Sequence, residues 1–341
     1  MSANRSSIAL DLTPPRSARD WGGPAPMSPA HRYRYGVAGR LLHLDRPLAV
    51  WPALPDTTPM AVGPGAWAGA APGASPAGAP LSTAGDIAYD GPGWLGGVRR
   101  HIVSRTRDGV YDLDIDSVAR FRIERDGSAV ACLAAAPEVA PEQVEEAATG
   151  VALVVALALQ GVFCLHAGAV LLAASTDRTD GAGVIGFAGD SGSGKTTLTR
   201  WLADARNTSW PLVADDVLAL ELVDGAPKVW PDFPQPRLSL ADQPAHASPL
   251  PLDLALACVL DTHDGHEAGG GDPRADILAP AAAVHALARN SLALRLFDKR
   301  LAERHVSFCA AVAGAIDVVT LSYPRRADAL PRVAAAVQRW V

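Results

Sequence analysis

Nine consecutive residues, Gly189-Asp190-Ser191-Gly192-Ser193-Gly194-Lys195-Thr196-Thr197, carry the strongest chemical signal in the chain, and the first eight meet the P-loop pattern G-x-x-x-x-G-K-[ST] in full. Glycines at these spacings let the backbone curl until successive N–H groups face one point, and a following helix adds the partial positive charge of its N-terminus. Lys195 is then placed to reach the β- and γ-phosphates of a nucleotide, and the Thr196 hydroxyl to ligate Mg²⁺. A glycine-rich turn entering a helix accounts for the glycines but not for Lys195 and Thr196. Nucleotide binding is the expectation.

Further along, PLVADDVLAL sets Asp215 and Asp216 at the end of a short apolar strand, where a metal-holding acid belongs in such a domain. Two adjacent carboxylates allow a division of labour, one holding Mg²⁺ and the other taking a proton from an attacking hydroxyl. An Asp-Asp turn without chemistry is the plainer alternative. Upstream, His166 lies in LHAGAVLLA; taken alone, such a histidine reads as a hydrogen-bonded core residue.

These residues need elements to position them. GVIGFAG reads as a buried strand before the glycine run, KTTLTRWLADA as the helix after it, and PLVADDVLALEL as the next strand. Pro141 and the acidic EQVEE begin a helix that becomes wholly apolar up to about Gln160. Towards the C-terminus, ALACVLD and IDVVTLSYP read as strands, and ILAPAAAVHALARN, LALRLFDKRLAERHVSFCAAV and LPRVAAAVQRWV as helices. From Asp86 to Leu133, alternating pieces separated by Asp108-Gly109 and Asp126-Gly127 predict antiparallel strands, and Tyr35–Leu44 predicts another. The expected organisation is a disordered tail over 1–30, a β-rich module over 31–140 with an Ala/Gly/Pro-rich loop at 61–80, and an α/β P-loop domain over 141–341.

Composition bounds the function. The chain has 341 residues and a net charge of −6, which supplies no global field for nucleic acid or an anionic membrane. Aromatic residues are 6% against 49% hydrophobic, so Ala, Val and Leu must build the core, as in an α/β protein. Cys132, Cys164, Cys258 and Cys309 lie far apart and predict neither a disulfide framework nor a structural metal. The first thirty residues lack the apolar core of a secretion signal, and a cytoplasmic location is expected. The stretch 147–175 contains no charged side chain and could pass for a membrane span, but Gln160, Gly161 and His166 interrupt it; a buried helix feeding buried strands is the expectation.

Two groups remain. Beyond His285 there are nine Lys and Arg residues (Arg289, Arg295, Lys299, Arg300, Arg304, Arg325, Arg326, Arg332 and Arg339), most of them readable as a solvated helix face. Arg237 and Arg325 are singled out as candidate clamps for a phosphate or a carboxylate. His263, His266 and Glu267 mimic a metal cluster but sit in a glycine-rich polar loop.

Taken in order, LHAGAV, GVIGFAGDSGSGKTTL and LVADDVLAL resemble the catalytic domain of HPr kinase/phosphorylase, and more closely the HPr-kinase-related proteins encoded with peptide-modification genes. That group includes kinases that phosphorylate lasso-peptide precursors on a serine at the carboxyl end. The resemblance covers about 163–222 and implies an HPr kinase C-terminal-like kinase domain using ATP and Mg²⁺. It implies Lys195 and Thr196 on the nucleotide and metal, Asp215 as general base toward a serine hydroxyl, Asp216 as support of the metal, and His166 tuning the base. It also implies a peptide or small-protein substrate and a homo-oligomer, with no nucleic-acid or membrane partner. The chain departs from the bifunctional kinases after the acid pair. There VWPDFPQPRLSLADQP replaces their E-x-R-G-x-G signature; Asp242 is a candidate stand-in for the missing metal ligand, with a solvated loop acid as the plainer reading. The expected function is transfer of the ATP γ-phosphoryl group to a serine of a ribosomally made precursor; a small-molecule kinase of the same fold and a nucleotide-switched binding module are the alternatives.

Overall fold

The computed structural model describes residues 9–11, 33–38, 40–44, 85–95, 97–172, 183–204, 206–208, 210–233, 235, 251–263 and 272–340. It is a mixed α/β structure in two compact units, one of Met1–Gly161 with Ala293–Glu303, the other of Val162–Leu292 with Arg304–Val341.

The first unit is built on an eight-stranded antiparallel sheet. In chain order its strands are β1 (Ala9–Asp11), β2 (Tyr33–Val37), β3 (Arg40–Leu44), β4 (Asp86–Leu95), β5 (Val98–Arg107), β6 (Val110–Ile115), β7 (Ala119–Ile123) and β8 (Ala129–Ala135), arranged β2-β3-β1-β8-β7-β6-β5-β4. Alternation assigns the faces. Tyr111, Leu113, Ile115, Phe121 and Ile123 are buried on one, while Asp112 and Asp114 stand directly opposite Arg122 and Arg120 on the other. Asp108 and Gly109 both take positive φ, 53° and 84°, as the tight turn between right-twisted strands requires. A helical run follows: α1 (Pro141–Ala147), a π-helical turn (Ala148–Ala152) and α2 (Leu153–Leu159). It stops at Gln160 and Gly161, and the uncharged stretch resumes as a strand. No helix among the described residues is long and apolar enough to cross a membrane.

The second unit holds β9 (Phe163–Leu172), β10 (Gly183–Ala188), α3 (Lys195–Ala203), β11 (Leu212–Ala214), β12 (Val217–Val223), β13 (Ala226–Trp230), β14 (Leu252–His263), β15 (Arg274–Ile277), α4 (Pro280–Arg289), most of α5 (Lys299–Ala315), β16 (Asp317–Pro324) and α6 (Leu330–Trp340). β10, β14 and β16 run parallel, and β10 is buried throughout, which is why GVIGFA reads as a continuous apolar run. Leu198 and Leu202 of α3 and Leu330, Val333 and Val337 of α6 join Ile185, Phe187, Leu256, Cys258, Val319 and Leu321 in one core on the same face of these strands. The other strand pairs of this unit are antiparallel.

Several boundaries differ from the sequence expectations. Ala9–Asp11, inside the expected tail, pairs with both β3 and β8, because a short apolar segment can complete a sheet whatever polar sequence surrounds it. The rest of 1–30, and all of 61–80, lie outside the described residues. The helical run over 141–159 falls in the first unit, with Gln160 Nε2 donating to Gly127 O at 2.6 Å, so the compact units part at Gly161 and not at 141. The single helix expected across 292–312 breaks at Phe297 and Asp298, where the Asp298 carboxylate accepts from Leu301 N at 2.8 Å and caps α5. The strand expected over 211–222 is broken at Asp215-Asp216 into β11 and β12, and a turn at Asp224-Gly225 then returns the chain as β13, a strand the sequence reading did not include.

Candidate functional site

β9 lies between β12 and β10, and that placement gathers the site. Its first half pairs with β12, His166 opposite Val217, and its second half pairs with β10, Ala167 opposite Ala188. The glycine run leaves the end of β10 and the acid pair precedes β12, so both begin beside His166. Gly168 allows the close packing of α3 behind them: a Cβ there would lie 2.7 Å from Thr199 Cγ2.

The loop over 189–194 joins β10 to α3, and Gly194 at φ 91° is the N-cap of the helix, a left-handed position that suits glycine. Lys195 folds back across the loop, its Nζ donating to Gly189 O at 2.6 Å and Asp190 O at 3.0 Å, and is buried there. Thr196 and Thr197 follow in the first turn, Thr196 half-buried with its hydroxyl engaging none of the described residues. Tyr323, from the end of β16, sets its hydroxyl 3.6 Å from where a Cβ on Gly194 would lie. Burial pushes its pKa up to about 12, against a smaller opposing effect of the Arg325 charge, so the phenol keeps its proton.

The acid corner is held by a side chain. Gln235, buried, accepts at Oε1 from the backbone N–H of Asp215, Asp216 and Val217 at 2.9, 3.0 and 3.1 Å. Its Nε2 donates to Val217 O and Phe233 O at 2.9 and 2.8 Å. One amide thus satisfies the backbone where the chain leaves β11 and enters β12. The two carboxylates then face different neighbours. Asp215 is 1% exposed and accepts from Arg200 Nη2 and Nε at 3.3 and 3.4 Å. Asp216 is 14% exposed and lies 3.2 Å from His166 Nδ1.

A second strand of contacts joins the loop to His166. Arg289, at the end of α4, places Nη2 2.5 Å from the Asp190 carboxylate. Its neighbour Asn290 accepts from His166 N at 2.7 Å through its backbone oxygen, and Leu292 N donates to Cys164 O at 2.8 Å. The end of α4 is therefore tied along β9.

The glycine run, Lys195, Thr196, Asp216 and His166 are thus brought to one edge of the unit. Asp215 is beside them but turned toward Arg200, and His166 meets Asp216 rather than the acid the resemblance named as base. Arg325 is exposed just beyond β16. Arg237, Asp242, His266 and Glu267 lie outside the described residues, as does the side chain of His263. Arg200, Gln235 and Arg289 were not foreseen in this role. Arg200 carries a signal, since it lies one helical turn beyond Thr196. Gln235, between two prolines, and Arg289, one cation among nine, carry none.

Among the described residues no group of three or more His, Cys, Asp and Glu side chains is arranged to hold a metal ion. Mg²⁺ bound with a nucleotide needs only one or two protein oxygens, the rest coming from phosphate and water. The Thr196 hydroxyl and a carboxylate of the acid corner are donors of that kind. No protein family and no curated protein matches the sequence. Among solved structures the chain is similar to the HPr(Ser) kinase/phosphatase from Coxiella burnetii, at 15% identity over 52% of this chain and 93% of that one, with a TM-score of 0.25.

Proposed function

We propose that the chain is an ATP-dependent phosphotransferase that moves the γ-phosphoryl group to a serine hydroxyl of a peptide or small protein, a ribosomally made precursor of the lasso type being the preferred acceptor. The observation that carries this is the Lys195 loop lying beside an acid–imidazole pair, Asp216 with His166, on strands that β9 holds together. Loop N–H groups and Lys195 hold the phosphates, and Thr196 with one acid holds Mg²⁺, which when bound neutralises charge on the β- and γ-oxygens. Asp216, the more accessible acid, takes the hydroxyl proton as the oxygen bonds to the γ-phosphorus and the bond to the bridging oxygen breaks, releasing ADP. His166 Nδ1–H holds that carboxylate in orientation before the transfer. Asp215, bonded to Arg200, is left to anchor the corner or to contribute to the metal.

The test is the intact mass of a serine-ended precursor peptide after incubation with protein, ATP and Mg²⁺, beside Lys195→Ala and Asp216→Asn. One added phosphoryl group, absent with both variants and with a serine-to-alanine peptide, is the expected result. ATP consumption that a small-molecule hydroxyl stimulates and the peptide does not would move the acceptor class to metabolites.

A further inference from the structure

We infer that Arg289 is a catalytic residue of this site, the arginine that meets the phosphoryl group in transfer, with Asp190 orienting it over the glycine loop. This rests on the phosphotransfer function proposed above. Two placements support it. The Arg289 guanidinium lies 2.5 Å from a carboxylate of the loop itself. Its backbone neighbour Asn290 is hydrogen-bonded at 2.7 Å to His166, the residue that contacts Asp216. The arginine therefore stands beside the loop that would hold the phosphates, on a backbone tied to the strand that carries His166.

Its chemistry suits that place. Asp190 engages one terminal nitrogen, and the remaining N–H groups of the guanidinium have no partner among the described residues, so the planar fork can still present two parallel donors to phosphate oxygens. The other nearby cations are engaged: Lys195 with the loop carbonyls and Arg200 with Asp215. A position at the carboxyl end of α4 adds the favourable end of the helix dipole to a cation. As an exposed ion pair, with side chains 59% and 72% accessible, Arg289–Asp190 contributes little to stability, so its loss should not unfold the chain.

The experiment is titration of the full chain with MgADP alone and with MgADP plus aluminium fluoride, a mimic of the phosphoryl group in flight, for the wild type, Arg289→Ala and Arg289→Lys. An arginine acting on the transition state predicts unchanged MgADP affinity, within about twofold, and loss of about 100-fold in the extra affinity that aluminium fluoride confers. Added guanidinium should restore part of that loss in Arg289→Ala, and Arg289→Lys should recover little because it lacks the fork. Equal tightening by aluminium fluoride in wild type and Arg289→Ala overturns the inference, as does a variant that loses MgADP to the same extent. If the wild type binds no MgADP at all, the nucleotide site itself fails, and the two failures are told apart by that first titration.

Discussion

Asp215 and Asp216 are chain neighbours in opposite surroundings, one sealed against Arg200 and the other reaching His166 at the surface of the site. A general base must offer a lone pair to its substrate, and of the two acids Asp216 is the more accessible. Asp216→Asn is therefore expected to lower kcat by about 10²- to 10⁴-fold with little change in ATP affinity, read by single-turnover phosphotransfer. Asp215→Asn is expected instead to act on folding, because it weakens the pairing of a buried carboxylate with its guanidinium partner. The check is a lowered Tm, with kcat of the folded fraction recovering as Mg²⁺ is raised. The residues of this corner stand out in the sequence by type and spacing: the glycine run, Lys195, Thr196 and the acid pair. Their partners do not, because side-chain pairing beside β9 depends on which strands flank it, which no local pattern records.

At the scale of elements the site depends on two packing devices. Gln235 satisfies three consecutive backbone N–H groups at the acid corner, and Gln235→Leu leaves them buried without a partner. At about 1–3 kcal/mol for each unsatisfied group, the expected loss of stability is at least about 3 kcal/mol, measurable by urea unfolding. Gln235→Glu retains the acceptor oxygen but turns the donor to Val217 O and Phe233 O into a second acceptor, so it should fall between wild type and Gln235→Leu. Gly168→Val would push α3 off β9 by way of Thr199 and move Lys195 with it; nucleotide affinity and Tm should fall together. The strands around this core, β10, β14 and β16, were legible because buried parallel strands are continuous apolar runs. The β12–β13 hairpin was missed because the strand was read only as far as Leu222, short of the Asp224-Gly225 turn, and the PQP segment offered no periodicity to place Gln235.

For the molecule as a whole, the β-rich first part and the α/β second part were legible in composition and alternation, whereas their border was not. The apolar helix Leu153–Leu159 lies next in sequence to β9, yet it packs with the antiparallel sheet, and apolar content alone does not say which core a helix joins. Global stability carries its own pH signature. His305 is buried, with Nε2 2.7 Å from Ser291 Oγ and its ring against Phe163, and burial lowers its pKa from 6.5 to about 4. The unfolded chain thus binds a proton that the folded one refuses between those values, so stability is full above about pH 6.5 and falls as pH drops toward 4. His305→Gln should be less stable at pH 7 and should lose less Tm between pH 6.5 and 4; superimposed slopes would contradict it.

The most direct test of the central claim is calorimetric titration of MgATP into the wild type, Lys195→Ala and Asp216→Asn. A nucleotide site at the glycine loop with proton transfer at Asp216 predicts stoichiometric binding by the wild type, loss of at least tenfold in affinity for Lys195→Ala, and near wild-type binding by an Asp216→Asn protein that no longer transfers phosphate. Absence of binding by the wild type, or equal binding by Lys195→Ala, would contradict it.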